Sequence, residues 1–360
     1  MEKRELARFI PWRAIGLGLA ALSIIVATIA NRHGVHSGAI QLAHLHPAAL
    51  LAGLLAVGLG VVNRGAHAQA AYRLMALPSR LIPMVELTAT SYATNKLVKA
   101  AGVAGIVPFL ADARTRGHER ERVIGAYLCM SAAASLAQAM VILVAVGVGF
   151  ATGVLDGAVR LGAAAAIAYC AATVGSLALV AGNGPIVRSI VGRATLVADR
   201  ARTAFGRAPS RSDGTGAGCL GSAALAVRHQ PIVVARLVTT ALTGKLIGAC
   251  TLAVVLAGLG VHLPVGTILV VYTLTLVASA AGPLPAGIGT AEASLAALLV
   301  GNGVGAETAG AAVVAFRLLD VWLPIALVPI GRLARSSHTA ARRPGRSLPL
   351  PVPAVAVVGG

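Results

Sequence analysis

Long runs without a charged side chain alternate along the chain with short, arginine-rich stretches. Residues 14–30, 47–63, 123–155 and 161–187 contain no Asp, Glu, Lys or Arg, and a further uncharged run covers 246–291. Each run is as long as, or longer than, the roughly 17–25 residues that a helix needs to cross a bilayer. Because the bilayer interior has no water to hydrogen-bond the backbone, such runs form helices. The pattern predicts an all-α polytopic membrane protein.

Composition agrees with this fold class. Hydrophobic residues make up 57% of the chain and charged residues only 12%, whereas soluble domains are about half apolar. The 4 cysteines show no CxxC spacing, so neither a disulfide nor a metal site is expected. The formal charge of +18 would suggest nucleic acid in a soluble protein. Here positive-inside topology accounts for it, and no nucleic-acid partner is expected.

The basic residues predict the orientation and the domain plan. Most of the 30 Lys and Arg fall in five stretches, which the positive-inside rule assigns to the cytoplasm. Richness in Ala, Gly, Val and Arg is typical of a bacterium, so we expect a bacterial plasma membrane protein with both termini cytoplasmic. The predicted units are a cytoplasmic N-terminus (1–13), one transmembrane domain (14–335) containing a basic cytoplasmic loop (184–231), and a disordered cytoplasmic tail (336–360).

The order of segments predicts about 8–10 membrane segments in two halves. Segments 81–97 and 101–112 lie between two cytoplasmic loops, 64–80 and 113–122, so together they cross an even number of times, and either piece could be a half-helix. The two halves start on opposite sides, which is an inverted-topology repeat with broken or re-entrant helices. The predicted segments are 14–30, 47–63, 81–97, 101–112 and 123–150, then 161–183, 234–260, 265–282, 286–302 and 308–331.

Polar residues inside these segments are functional candidates, because ionisable groups in lipid are costly. In ELTATSYATNKLVKAAG, Glu86, Thr90 and Asn95 lie close to one helical face, and Lys96 and Lys99 end that helix. Two interpretations remain open. The lysines snorkel to the interface, or they bind an anionic headgroup.

A second cluster joins Glu292, Arg317 and Asp320. Arg317 and Asp320 are three residues apart on one helix and could form a structural salt bridge. Alternatively, Glu292 and Arg317 pair across helices and exchange partners during transport. The preceding stretch, AGPLPAGIGTAEAS, is predicted to turn at the cytoplasmic side, and Arg236 and Lys245 add positive charge on a third helix.

These motifs resemble a known family. PLPAGIGTAEASLAALLVGNGV and the following AAVVAFRLLDVWLP are similar to the lysylphosphatidylglycerol synthase transmembrane family, the flippase-like domain, and the resemblance covers most of 14–335. Ile288 departs from the family's glycine pattern. The soluble lysine-transferring domain of full-length synthases is not expected, so neither is lysyl-lipid synthesis. The site positions that the resemblance implies are Asn95, Gly102, Pro285, Gly287, Gly289, Glu292 and Arg317.

The expected function is lipid translocation, of a phospholipid or a polyprenyl-linked lipid. Broken helices expose N-terminal N–H groups, which suit a phosphate. No Walker A, HExxH or GxSxG motif occurs, so we expect no cofactor and no enzyme activity. The alternatives are a membrane scaffold that uses loop 184–231, or a lipid-modifying enzyme with Glu86 or Glu292 as general acid or base. The expected partner is a membrane lipid, and a homo-oligomer is compatible with the pattern.

Overall fold

The structure is a computed structural model that describes residues 47–97, 103–153, 160, 162–172, 223, 225–282 and 284–328. Within these ranges the chain forms helices joined by short turns, with no strand. The predictions made for 14–30, Lys99, Gly102, most of loop 184–231 and the tail lie outside the described residues.

The first half of the fold contains two long helices around a broken hairpin. Helix α1 is Pro47–Leu74, α2 is Leu81–Leu97, a 3₁₀ turn covers Val103–Gly105, α3 is Ile106–Arg116 and α4 is Arg120–Ala151. A shorter helix, α5, at Gly162–Ala172, lies in the predicted segment 161–183, with which the second half begins.

The second half repeats this order. Helix α6 is Pro231–Gly258, α7 is Val265–Ala281, a 3₁₀ turn covers Pro285–Gly287 and α8 is Thr290–Gly301. The last helix, α9, covers Ala306–Val328. It contains a π-helical turn at Leu318–Trp322.

Four of these helices, α1, α4, α6 and α9, are long and apolar enough to cross a membrane. Their outward faces carry exposed leucines, isoleucines and valines, which is the composition that lipid tails solvate. The prediction of an all-α polytopic membrane protein is confirmed.

Helix α1 differs from its predicted bounds. It continues through Arg64 to Leu74, whereas the sequence predicted a cytoplasmic loop from residue 64. The assignment of Arg64 to a loop was therefore wrong. The prediction assumed that a charged residue ends the membrane segment. Arg64 instead lies within the helix, where it is partly buried and contacts an aromatic ring of the next helix.

The two halves match element by element. Helices α1 and α6 both have 28 residues, and α2 and α7 both have 17. The short helices α3 and α8 have 11 and 12 residues. Each is followed by a left-handed glycine, Gly117 with φ 68° and Gly303 with φ 84°. A glycine tolerates this conformation without the Cβ clash that other residues meet.

The two halves also run in opposite directions, because α1 and α6 pack antiparallel. As residue numbers rise along α1, the numbers of their partners fall along α6. The contacts are Gly60 with Ile247, Asn63 with Thr240, His67 with Leu237 and Leu74 with Gln230. An inverted repeat is therefore built into the helix pairing itself.

Close packing of the first hairpin against α1 depends on a glycine. A Cβ at Gly65 would lie 2.9 Å from the backbone of Val85 on α2. Small residues let membrane helices approach closely, and dispersion contacts then hold them together where no hydrophobic effect operates. Gly65 thus sets the position of α2, which carries most of the first polar cluster.

The short helices settle how the broken segments meet the membrane. At 1.5 Å per residue, helices of 11 and 12 residues extend only about 17–18 Å. The hydrocarbon core is about 30 Å thick. Neither α3 nor α8 is long enough to cross the hydrocarbon core alone.

Candidate functional site

The tip of the second hairpin is held by a partly buried ion pair. Arg317 on α9 donates from Nε to Glu292 Oε1 at 2.7 Å and from Nη2 to the carbonyl of Ala286 at 2.8 Å. Arg317 is only 6% exposed. Of the two pairings that the sequence allowed, the structure adopts the one across helices, and Asp320 is not the partner of Arg317.

Glu292 also caps the helix that it begins. Its second oxygen, Oε2, accepts the backbone N–H of Gly289 at 2.7 Å. A carboxylate in the first helical turn satisfies a free N–H and is favoured by the helix dipole. The carboxylate therefore has a structural role on both oxygens.

The glycines and the proline of this stretch form a tight turn. Pro285 begins the 3₁₀ segment, and Ala286, Gly287 and Gly289 have φ angles of 56°, 67° and 83°. A side chain at Gly287 would meet Ser279 of α7. The sequence motif thus specifies a compact turn that brings the Ala286 carbonyl to Arg317.

The depth of this turn differs from the prediction. Arg317 lies near the middle of the 23-residue membrane helix Ala306–Val328, and it bonds directly to the turn. The turn is therefore inside the membrane span, whereas the charge count had placed it at the cytoplasmic surface. The charge count could not distinguish the two because no charged residue lies between 246 and 291.

A tyrosine that the sequence analysis did not select connects three helices. The hydroxyl of Tyr92 on α2 donates to the backbone carbonyl of Asp320 on α9 at 2.7 Å. The guanidinium carbon of Arg64 on α1 lies 4.4 Å from the Tyr92 ring centroid, and the Lys96 ammonium lies 5.4 Å from it. Such cation–π contacts are worth about 0.5–2 kcal/mol each.

The carbonyl that receives this hydrogen bond belongs to the π-helical turn Leu318–Trp322. Single π turns within α-helices are rare and occur frequently at functional sites. Here the turn follows Arg317 directly, so one short stretch of α9 contacts both Glu292 and Tyr92.

More charged groups surround Tyr92. Asp320, Arg317, Arg64 and Glu292 act electrostatically on Lys96, and Lys245 on α6 interacts with both Lys96 and Asp320. We call Arg64, Tyr92, Lys96, Lys245 and Asp320 the Tyr92 cluster.

The Tyr92 cluster has an excess of positive charge. Three cations face one carboxylate, which leaves a formal charge of +2 when Glu292 and Arg317 neutralise each other. Within the described part of the chain, none of the three cations forms an ion pair with a carboxylate at 4 Å or less. Unpaired cations at membrane depth are costly, so an anion has a strong reason to bind there.

A small cavity adjoins the cluster between α1, α6 and α9. Its volume is about 50 Å³, and its lining includes Gly60, Arg64, Gly244, Gly248, Leu319 and Asp320. Since one water occupies about 30 Å³ in the liquid, this space holds water but not a lipid headgroup.

Asn95, predicted to bind substrate, is hydrogen-bonded within the first hairpin and holds it together. Its Oδ1 accepts the backbone N–H of Gly105 at 2.6 Å, and its Nδ2 donates to the Tyr127 hydroxyl at 3.3 Å. The Ser91 hydroxyl donates to the Gly105 carbonyl at 2.7 Å. The second hairpin has a similar tie, in which Ser279 donates to the Ala286 carbonyl at 3.4 Å.

The remaining predicted residues separate into two groups. Lys96 from the first predicted cluster and Asp320, Glu292 and Arg317 from the second lie close together around α9, a meeting of the two clusters that the sequence did not predict. Glu86 lies on α2 six residues before Tyr92, about 9 Å along the helix axis. Lys99 and Gly102 lie outside the described residues.

Arg64 and Tyr92 are the residues that the sequence analysis missed. Tyr92 is one of only 5 tyrosines in the chain. It lies four residues before Lys96, a spacing that makes them neighbours on a helix. That spacing was the available signal. For Arg64 the sequence gives no such signal. At the end of an apolar run, an arginine inside a helix cannot be distinguished by sequence from an arginine in a loop.

Comparison with protein families identifies the domain. The model for the lysylphosphatidylglycerol synthase TM region matches residues 13–327. The chain belongs to the lysylphosphatidylglycerol synthase transmembrane family. Both broken hairpins, the Tyr92 cluster and the Glu292–Arg317 pair lie within this family region. The match and the four membrane-length helices together show a multi-pass membrane protein. Comparison with curated proteins gave no match.

Proposed function

We propose that the protein moves an anionic lipid, a phospholipid or a polyprenyl-linked lipid, between the two leaflets of the membrane. The observation that carries this proposal is the Tyr92 cluster, in which Arg64, Lys96 and Lys245 face a single carboxylate at membrane depth. Family membership supports it, since this membrane domain is associated with flippase-like function.

The anion site proposed here is not the helix start and Arg317 that the sequence suggested. The N–H group of Gly289, directly before α8, is bonded to Glu292, and Arg317 is bonded to Glu292 and Ala286. Neither is free for a phosphate. Binding of the headgroup therefore falls to the cations of the Tyr92 cluster.

Translocation requires the cluster to open. The adjoining cavity of about 50 Å³ is smaller than a headgroup, so the helices around it must separate on one side at a time. Inverted repeats support such alternating access, because the same motion in the other half opens the other side. We propose that the lipid tails stay in the bilayer while the headgroup passes the cluster, and that Arg317 exchanges partners during this motion.

Transport is favoured over lipid modification by the state of the acidic residues. A general base needs a free lone pair aimed at its substrate. Glu292 has one oxygen on Arg317 and the other on Gly289. Both oxygens therefore hold structural hydrogen bonds, which favours a structural role for Glu292.

The proposal is tested by reconstitution into vesicles. Full-length protein is incorporated into phosphatidylcholine vesicles that contain a trace of phosphatidylglycerol labelled on its headgroup, and the label in the outer leaflet is then quenched chemically. Transport predicts that the protected half of the label becomes accessible faster than in protein-free vesicles. An unchanged rate, repeated with a polyprenyl phosphate as the labelled lipid, would refute the proposal.

A further inference from the structure

We infer that the Tyr92 cluster is built for a lipid whose headgroup carries two negative charges, a diphosphate, rather than a single phosphodiester. The inference rests on the proposed function, since it specifies the ligand of the same site.

Charge balance is the first argument. Arg64, Lys96 and Lys245 face Asp320, which leaves a formal charge of +2. A phosphodiester with one negative charge leaves one cation uncompensated. Since charges at membrane depth are weakly screened by water, a ligand with two negative charges is the one that neutralises the cluster.

The neighbouring charged groups do not alter this balance. Glu292 and Arg317 are bonded to each other at 2.7 Å and contribute no net charge. Arg236, on the same helix as Lys245, is exposed and lies in the first turns of α6. Among the described residues, the excess therefore belongs to the cluster.

The arrangement of the cations fits two phosphoryl groups. The Arg64 guanidinium and the Lys96 ammonium both lie against the Tyr92 ring, so their charged centres are within about 10 Å of each other. They come from different helices, and Lys245 comes from a third. Separate cations around one ring can each meet a different phosphoryl group, and the planar guanidinium of arginine is suited to bidentate contact with phosphate oxygens.

Under this inference, Asp320 stabilises the cluster before the lipid binds. Its carboxylate interacts with Lys96 and Lys245 and lines the same cavity as Arg64. It reduces repulsion among the cations before the lipid arrives. Asp320 also disfavours weakly charged headgroups. Such a headgroup has to compete with the Asp320 carboxylate for the same cations.

The test compares ligands of one chain length and different charge. Full-length protein in phosphatidylcholine nanodiscs is titrated calorimetrically with farnesyl diphosphate and farnesyl phosphate, both as their methyl esters so that they carry two negative charges and one, and with inorganic diphosphate; empty nanodiscs are the blank. We expect farnesyl diphosphate to bind about tenfold more tightly than farnesyl phosphate, from one additional charge interaction. Equal affinities of the two farnesyl compounds would overturn the inference. Equal affinity for inorganic diphosphate would assign the site to a soluble anion and overturn its lipid part.

Single substitutions test which residue causes the preference for a diphosphate. Lys245→Gln should lower farnesyl diphosphate affinity about tenfold and leave farnesyl phosphate within about threefold, while the matched variant Arg236→Gln leaves both unchanged. If Lys245→Gln does not fold, Arg64→Gln takes its place with the same expectation. Equal weakening of both ligands would contradict the charge argument.

The outcome is separable from that of the proposed function. Binding is measured at equilibrium in nanodiscs, whereas translocation is measured as a rate in vesicles. A diphosphate preference without translocation would support this inference and refute the transporter. Translocation without a diphosphate preference would support the transporter and refute this inference.

Discussion

Arg317 and Glu292 are 25 residues apart in the chain, yet their side chains meet at 2.7 Å in the interior of the membrane domain. The contact joins the long helix α9 to the start of the short helix α8, and a second bond from Arg317 reaches the Ala286 carbonyl in the turn before it. One side chain thus holds the turn and the helix start of the second hairpin together.

Removing one member of the Glu292–Arg317 pair should lower the free energy of unfolding more than removing both members. Glu292→Gln leaves the Arg317 charge without its carboxylate, for which we expect a loss of about 2–4 kcal/mol, given that Glu292 is one-third exposed. The double variant Glu292→Gln/Arg317→Met should recover part of this loss, because no charge is left unpaired. Thermal unfolding in detergent, read as a double-mutant cycle, measures the coupling. Additive losses would contradict the account of the pair.

Asn95 should prove structural rather than ligand-binding. Asn95→Ala removes the acceptor of the Gly105 N–H and should cost about 1–3 kcal/mol, whereas Asn95→Gln keeps a neutral amide and should cost less. Unfolding temperature and the affinity for farnesyl diphosphate are measured on both variants. We expect the temperature to fall with the affinity of the folded protein preserved. A selective loss of affinity in Asn95→Ala would show that Asn95 belongs to the binding site.

Two glycines on one helix provide a matched pair. Gly65→Ala should lower the unfolding temperature, because the new Cβ would lie 2.9 Å from the Val85 backbone and α2 would have to move away. Gly58→Ala has nothing within 4 Å and should be neutral or mildly stabilising, since alanine favours a helix over glycine by up to about 1 kcal/mol. Similar behaviour of the two variants would show that α1 and α2 do not pack as described.

Tyr92 should have separable contributions from its ring and its hydroxyl. Tyr92→Phe removes the bond to the Asp320 carbonyl, at a cost of about 0.5–1.5 kcal/mol, but keeps the face that Arg64 and Lys96 contact. Tyr92→Leu removes both. We expect Tyr92→Phe to retain most lipid binding and Tyr92→Leu to lose most of it, measured by calorimetry in nanodiscs. Equal loss in both variants would assign the effect to the hydrogen bond instead of the ring.

Much of the fold follows from the sequence because lipid imposes simple rules. An uncharged run must satisfy its own backbone hydrogen bonds, so α7 ends within one residue of its prediction. Helix α2, which contains Glu86 and Lys96, was predicted from its position between two basic stretches and has the predicted bounds of 81–97. The inverted order followed from counting crossings. The antiparallel contact of α1 with α6 shows the same inversion in space.

The site was less predictable because its geometry depends on tertiary contacts. Asp320 and Glu292 were equally reasonable partners for Arg317 by sequence, and only the turn at Ala286 brings Glu292 closer. Asn95 had the polarity of a ligand-binding residue, but its partner Gly105 lies beyond a break in the helix. Arg64 looked like a loop residue until the Tyr92 ring was found beside it.

The central claim is that a lipid headgroup crosses the membrane past the Tyr92 cluster, and the most direct measurement is the translocation rate when the cluster loses its charge. Full-length Lys96→Ala and Arg236→Ala are reconstituted at equal density, and the exchange of headgroup-labelled anionic lipid between leaflets is followed by quenching. Lys96 lies 5.4 Å from the Tyr92 ring centroid, whereas Arg236 is exposed on α6. We predict a rate for Lys96→Ala at least about tenfold below wild type, with Arg236→Ala unchanged. Wild-type rates in both variants would contradict the account.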